Sequence, residues 1–248
     1  MKLTLRVWTQ DGPEGAGRFT EHEVPDAVPS MSVLELLDAL NARLQEEGRE
    51  PIAFESDCRE GICGTCGVTV DGVPHGRSRN TPSCQQRLEH YSDGDTLTVE
   101  PLRSAAFPVI RDLVVDRSAL DTVLEAGGHV SVPAGTAPDA DALPVTHDEA
   151  ERALDFAACI GCGACVAACP NGAVNLFLGS KLEHLAALPQ PGLERRARST
   201  AMTRAADRDF GPCSLYGECS EVCPAEIPLT AVAAVNKERL RSVFRRRR

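Results

Sequence analysis

Cys159-Ile160-Gly161-Cys162-Gly163-Ala164-Cys165-Val166-Ala167-Ala168-Cys169-Pro170 is a C-x2-C-x2-C-x3-C-P run. That spacing belongs to thiolates that converge on iron-sulfur clusters. A second stretch aligns with it 54 residues later: Cys213 matches the first position, Cys219 the third, and Cys223-Pro224 the fourth. The second position falls on Tyr216. The later stretch is therefore a copy of the first with one ligand missing, and the chain carries an internal repeat.

In two-cluster ferredoxins the fourth cysteine of each run ligates the other cluster. On that rule Cys159, Cys162 and Cys165 join Cys223 around a [4Fe–4S] cluster. Cys213 and Cys219 join Cys169 with only three thiolates. A phenol is a poor ligand for a soft iron-sulfur corner. The expected product is a [3Fe–4S] cluster with Tyr216 beside the empty corner. The plain alternative for Tyr216 is a packed aromatic, and the two are compatible.

Upstream lies Cys58-Arg59-Glu60-Gly61-Ile62-Cys63-Gly64-Thr65-Cys66, with Cys84 after 17 further residues. This is plant-type [2Fe–2S] spacing. Gly61, Gly64 and Gly67 leave room for the backbone to approach sulfur and allow positive φ. Structural zinc is the competing reading. It is usually built from two C-x2–4-C pairs, whereas this set is a glycine-laced triple and a distant single. The three ligand sets consume all eleven cysteines.

Around these motifs the chain divides into two halves. Leu3, Leu5 and Val7 alternate with polar residues, as in a half-buried strand, and residues 20–24 can pair with it. A helix is expected at about 33–47. Ser32 and Glu35 form a capping-box pattern; Val33, Leu36, Leu37, Leu40 and Leu44 make one apolar face; Gly48 suits the stop. Val68-Thr69-Val70 runs into the hairpin signal Asp71-Gly72, and Thr96–Val99 supplies a last strand. The order predicts an α+β chain, with an N-terminal β-grasp plant-type ferredoxin domain over 1–105. An all-α bacterial-ferredoxin-like domain is expected over 106–248. Its helices are placed from near Asp148 into the cysteine loop, at about 199–208 and at about 229–244. Pro133, Gly135, Pro138 and Pro144 mark a loop ahead of the first of them.

Composition sets limits. With 42% hydrophobic and 25% charged residues, disorder and fibres are excluded; only 4% are aromatic, so a large aromatic core is not expected. Metal ligation is expected to stabilise the helical half in its place. The net charge of −10 argues against nucleic acid. Residues 237–248 hold seven Lys/Arg against one Glu, a net of +6, so the remainder carries −16. The closing Arg245-Arg246-Arg247-Arg248 reads either as a contact for anionic lipid headgroups or a partner, or as a solvated end. Arg6 interrupts the N-terminus before any signal-peptide apolar region forms, and no run of 18 uncharged apolar residues exists. Reduced, clustered cysteines in a cytoplasmic chain point to metal.

Three clusters of three types in this order resemble the iron-sulfur subunit of succinate dehydrogenase and fumarate reductase. The resemblance covers nearly the whole chain. It includes Pro108-Val-Ile-Arg-Asp-Leu-Val-Val-Asp116, which looks like that family's interdomain segment. It implies an electron-transfer subunit without catalytic residues of its own. A partner flavoprotein would carry FAD and oxidise succinate; electrons would pass to a quinone where a membrane anchor subunit meets this chain. The expected location is the cytoplasmic side of the cell membrane, peripherally held. The six histidines are scattered, as surface or packing residues would be.

The sequence departs from well-known members at the quinone side. A tryptophan pair follows their second-set Cys-Pro; here Asn171-Gly172-Ala173-Val174 follows Pro170, and Trp8 is the only tryptophan. Ser214 stands where they place a histidine. A different quinone, such as menaquinone, is the corresponding expectation, and Pro170 is the pocket residue that carries over. Competing functions are the iron-sulfur subunit of another flavin-linked complex, of thiol-driven fumarate reductase or glycolate-oxidase type, and a free ferredoxin shuttle. The former would usually carry more cysteine-rich repeats; the latter is usually shorter.

Overall fold

A computed structural model describes residues 1–130, 145–188 and 190–244. The proline-marked loop expected at 133–144 and the Arg245–Arg248 run lie outside the described residues.

The N-terminal part is a five-stranded sheet covered by a helix. Strand β1 (Leu3–Thr9) buries Leu3, Leu5 and Val7 completely, as its alternation requires. Strand β2 (Arg18–Val24) pairs antiparallel with it, from Leu3↔Val24 to Thr9↔Arg18, two residues longer than the sequence suggested. Helix α1 (Val33–Glu46) turns Leu36, Leu37 and Leu40 onto the sheet. Its capping box is formed: Glu35 N–H donates to Ser32 Oγ at 3.2 Å, and Ser32 N–H donates to the Glu35 carboxylate at 2.6 Å. Strands β3 (Val68–Val70) and β4 (Val73–Pro74) form the expected hairpin. Asp71 and Gly72 both hold positive φ, as a tight two-residue turn demands. Strand β5 (Thr96–Pro101) inserts parallel to β1 and antiparallel to β3, giving the order β2-β1-β5-β3-β4.

The C-terminal part is helical. It contains α2 (Ser118–Glu125), α3 (His147–Ala157), α4 (Ala164–Ala168), α5 (Asn175–Ala187), α6 (Gly192–Asp209), α7 (Glu218–Glu221) and α8 (Thr230–Phe244). Helix α3 matches its expected start and α8 its expected span. Helix α6 begins seven residues before the expected 199. Its N-terminal half is charged, and ion pairs seat it: Arg195 forks to Glu238 on α8 at 2.7 and 2.9 Å, while buried Arg198 reaches Glu194 and the carbonyls of Gly127 and His129. Helix α5 was not expected at all. Leu176, Phe177, Leu178, Ser180, Leu182, Glu183 and Leu185 are all buried, so it has no polar stripe for a sequence pattern to find. Gly179 lets it lie against α8, since a Cβ there would overlap the Ala231 carbonyl.

Residues 107–116 belong to both cores. Leu113 packs in the sheet core; Phe107, Val109 and Val115 pack with Phe177, Leu178, Met202 and Val235 in the helical core. Here strands β6 (Val109–Arg111) and β7 (Val114–Val115) make a small ladder. Buried Asp112 between them accepts from the amides of Gln10 at 2.9 Å and Ala53 at 2.8 Å. Two further ties join the halves: Arg79 pairs with Glu221, and the Asn80 amide donates to the Glu226 carboxylate.

Candidate metal centres

The first cysteine loop, 58–66, is shaped by left-handed backbone at Arg59, Gly61 and Gly64. These turns aim amides at sulfur. Glu60 N–H donates to Cys58 Sγ at 3.3 Å. With the amides of Ile62 and Cys63 it draws the half-buried Cys58 thiol down to about 7, the Glu60 bond contributing most. Arg59 forks onto Asp38 of α1 and anchors the loop. Cys66 and Cys84 are buried together beside Leu34 and Phe54. Burial, then the neighbouring Cys84 charge, pushes the Cys66 thiol up to about 12. Cys63 lies beside Cys58, and both Cys63 and Cys84 lie near enough to Cys66 for their charges to raise it.

Behind Cys84 sits His75, fully buried. Its Nδ1 accepts the Ser83 amide at 3.2 Å and lies 2.9 Å from Ser83 Oγ. Burial, with Arg117 as the lesser cause, lowers its pKa to about 4, so the imidazole is neutral. It fixes the segment that presents Cys84. A lone histidine carries no spacing signal, and its buried place fits the packing role expected of the scattered histidines.

Cys159, Cys162, Cys165 and Cys223 line one small cavity, closed by Leu176, Phe177 and Ile227. Cys223 thus leaves its own run and stands with the earlier one. Burial pushes Cys162 up to about 12 and Cys165 well above the ordinary thiol range. Cys223 Sγ accepts the Ile227 amide at 3.4 Å.

Cys169, Cys213 and Cys219 line a second small cavity, together with Tyr216. Tyr216 lines the same cavity as the three thiols and is 58% exposed. Burial, then Cys169 and Cys213, raises Cys219 to about 11. Leu176 lines both cavities, so the two adjoin. Asn171 ties this region together by donating to Pro212 O at 3.0 Å and Ser214 Oγ at 2.7 Å. Pro170 is exposed and does not line the cavity.

The donor chemistry fits iron-sulfur clusters. All ligand candidates are thiols, backbone amides point at several of them, and apolar side chains close the cavity of Cys159, Cys162, Cys165 and Cys223. Among the described residues, no three His, Cys, Asp or Glu side chains converge as a single ion would require. In the second and third sets the sulfurs ring a cavity instead. A coordinating thiol is deprotonated, so bound iron would overcome the burial that raises Cys66, Cys162, Cys165 and Cys219.

The first two sets touch. A Cβ on Gly64 would overlap the Ile160 carbonyl oxygen and stand 3.2 Å from the Cys162 nitrogen. Arg117 bridges the same seam, donating to Gly64 O at 2.6 Å and to Cys162 O at 3.1 Å. It was missed in the sequence, where it is one arginine after the Asp116 that ends the linking phrase.

Comparison with known proteins agrees with this layout. Residues 4–122 match the model of a 2Fe-2S iron-sulfur cluster binding domain, and residues 158–227 match a 4Fe-4S dicluster domain. The fumarate reductase iron-sulfur subunit of Mycobacterium tuberculosis is 34% identical over 217 residues, 85% of this chain and 81% of that protein. That of Escherichia coli O157:H7 is 31% identical over 83% of this chain and 81% of its own length. The succinate dehydrogenase iron-sulfur subunit of Bacillus subtilis is 25% identical over 96% and 93%. The fold is shared with a chain of the Mycobacterium smegmatis Sdh1 complex in the apo form, with TM-score 0.68 and 24% identity, covering 98% of this chain and 96% of that one. With a third of its residues shared across most of its length, the chain belongs to the family of succinate dehydrogenase and fumarate reductase iron-sulfur subunits.

Proposed function

We propose that this chain is the electron-transfer subunit of a membrane-bound succinate dehydrogenase, linking the FAD of a flavoprotein partner to a quinone at a membrane anchor. Cys58, Cys63, Cys66 and Cys84 would hold a [2Fe–2S] cluster; Cys159, Cys162, Cys165 and Cys223 a [4Fe–4S]; Cys169, Cys213 and Cys219 a [3Fe–4S]. Bound clusters supply one-electron redox chemistry. The chain's own residues orient the thiols, donate amides to sulfur and exclude water from the second site through Leu176, Phe177 and Ile227. The observation that carries the reading is the exchange of partners between the two runs, Cys223 joining the first and Cys169 the second.

In this reading the halves are a β-grasp ferredoxin domain over 1–105 and a helical ferredoxin domain over 106–248. No helix among the described residues is long and apolar enough to cross a membrane; in this reading a separate anchor subunit holds the chain peripherally on the cytoplasmic side of the cell membrane. Pro170 and the Tyr216 wall would face the quinone. The absence of the tryptophan pair and Ser214 in place of histidine favour menaquinone.

The opposite direction, fumarate reduction, is the second reading. It is favoured by the fumarate reductase subunits among relatives above 30% identity. Purification from native membranes tests both. A flavoprotein and an anchor should accompany the chain, and the ratio of succinate oxidation to fumarate reduction assigns direction. A chain isolated at high yield without either partner would overturn the proposal.

A further inference from the structure

We propose that Arg117 is a positioning residue for electron passage between the first and second cysteine sets. Its guanidinium fastens the two loops in one orientation, and its fixed charge raises the reduction potentials of the centres they hold. This rests on the reading of those sets as cluster ligands.

The contacts come from three separate segments. Nη1 donates to Gly64 O at 2.6 Å and to Cys162 O at 3.1 Å; Nη2 donates to Thr65 O at 3.3 Å and to the Glu55 carboxylate at 3.0 Å. Gly64 and Thr65 separate Cys63 from Cys66, and Cys162 is itself a ligand of the second set. The contact of Gly64 with Ile160 brings the loops together, but packing alone is non-directional. A planar fork with fixed donor directions sets their relative orientation.

The charge is placed to matter. The Arg117 side chain is 17% exposed, and three of its four acceptors are neutral carbonyls. Its one anionic partner, Glu55, is 43% exposed and hence partly screened by solvent. A net positive charge therefore remains in the seam. Reduction adds negative charge to a cluster, and nearby charge is among the terms that set its potential. Arg117 should raise potentials, and Glu55 should oppose it.

Three variants of the assembled, cluster-loaded complex test this: Arg117→Gln, Arg117→Lys and Glu55→Gln. EPR-monitored redox titration reads the first two centres, with iron content as the loading control. Arg117→Gln should lower at least one midpoint potential by about tenfold in the electron-sharing constant, about 59 mV for one electron. Glu55→Gln should move it upward. Arg117→Lys keeps the charge and loses the fork, so potentials should hold while the spin–spin broadening between the two reduced centres changes. If Arg117→Gln does not assemble, Glu55→Gln decides. Potentials that stay fixed, or move downward for Glu55→Gln, at full iron content would overturn the role. Missing cluster signals in the unmutated complex would instead overturn the ligand reading beneath it.

Discussion

Gly64 lies so close to Ile160 that a single methyl on it would meet the Ile160 carbonyl oxygen. The two belong to different cysteine motifs, 96 residues apart in sequence. Their contact places the loop of the first set directly against that of the second. Short separation is what an electron path between two buried centres requires of its scaffold.

Gly64→Ala should therefore disrupt more than its own turn. Gly64 holds φ +74°, and Gly72 in the β3–β4 hairpin holds φ +79° with nothing within 4 Å of its would-be Cβ. Gly72→Ala should cost only the backbone conformation, about 1 kcal/mol. Gly64→Ala should cost that plus about 1–3 kcal/mol of overpacking. Thermal unfolding of the cluster-loaded variants compares them. Equal losses would mean that the seam opens freely.

Tyr216→Cys restores the full C-x2-C-x2-C-x3-C-P run at 213–223. Tyr216 lines the same cavity as Cys169, Cys213 and Cys219, so the new thiolate should complete a fourth corner. The [3Fe–4S] EPR signal of the oxidised protein should shrink, with gain of a [4Fe–4S] signal on reduction. An undiminished signal, in protein whose mass confirms the change, would place Tyr216 away from the open corner.

His75 gives the fold a pH dependence of defined sign. Its pKa is held at about 4 in the folded chain against an ordinary 6.5. Between those values the unfolded chain binds a proton that the folded chain refuses. The stabilisation is complete above pH 6.5 and declines as pH falls toward 4, by at most about 1.4 kcal/mol per pH unit. His75→Gln should remove this slope. Urea unfolding at pH 7.0, 6.0 and 5.0 reads it, and identical slopes in the two proteins would contradict the assignment.

Removing iron should unfold the two parts unequally. Cys223 belongs to an apolar cluster with Phe156, Leu176, Ile227, Ala231 and Val232, against which Cys159, Cys165, Cys213 and Cys219 pack. The sheet core of Leu3, Leu5, Leu36, Leu40, Leu97 and Val99 needs no thiol. After chelation, hydrogen exchange should stay slow in β1 and β5 and become fast in α3, α5 and α8. Uniform loss would mean that the sheet also depends on metal.

The sequence was most legible where one residue type carries one physical demand. Alternation placed β1, and the capping box placed α1. Legibility failed where stability is tertiary. Helix α5 is buried nearly all round and has no amphipathic period. The start of α6 is polar and is held by Arg195 and Arg198 reaching other segments. Arg117 acts through partners on segments distant in sequence, His75 through the nearby Ser83, and neither lies in a recognisable motif. The 107–116 segment reads as a linker, yet its side chains are divided between two cores.

The most direct test of the account is an iron and acid-labile sulfide count on the intact complex, joined to EPR of its oxidised and reduced states. The ligand sets predict roughly nine irons per chain, held as two, four and three, with a [3Fe–4S] signal in the oxidised protein. Stoichiometric zinc, or roughly ten irons with a second full [4Fe–4S] in place of the three-iron signal, would contradict it.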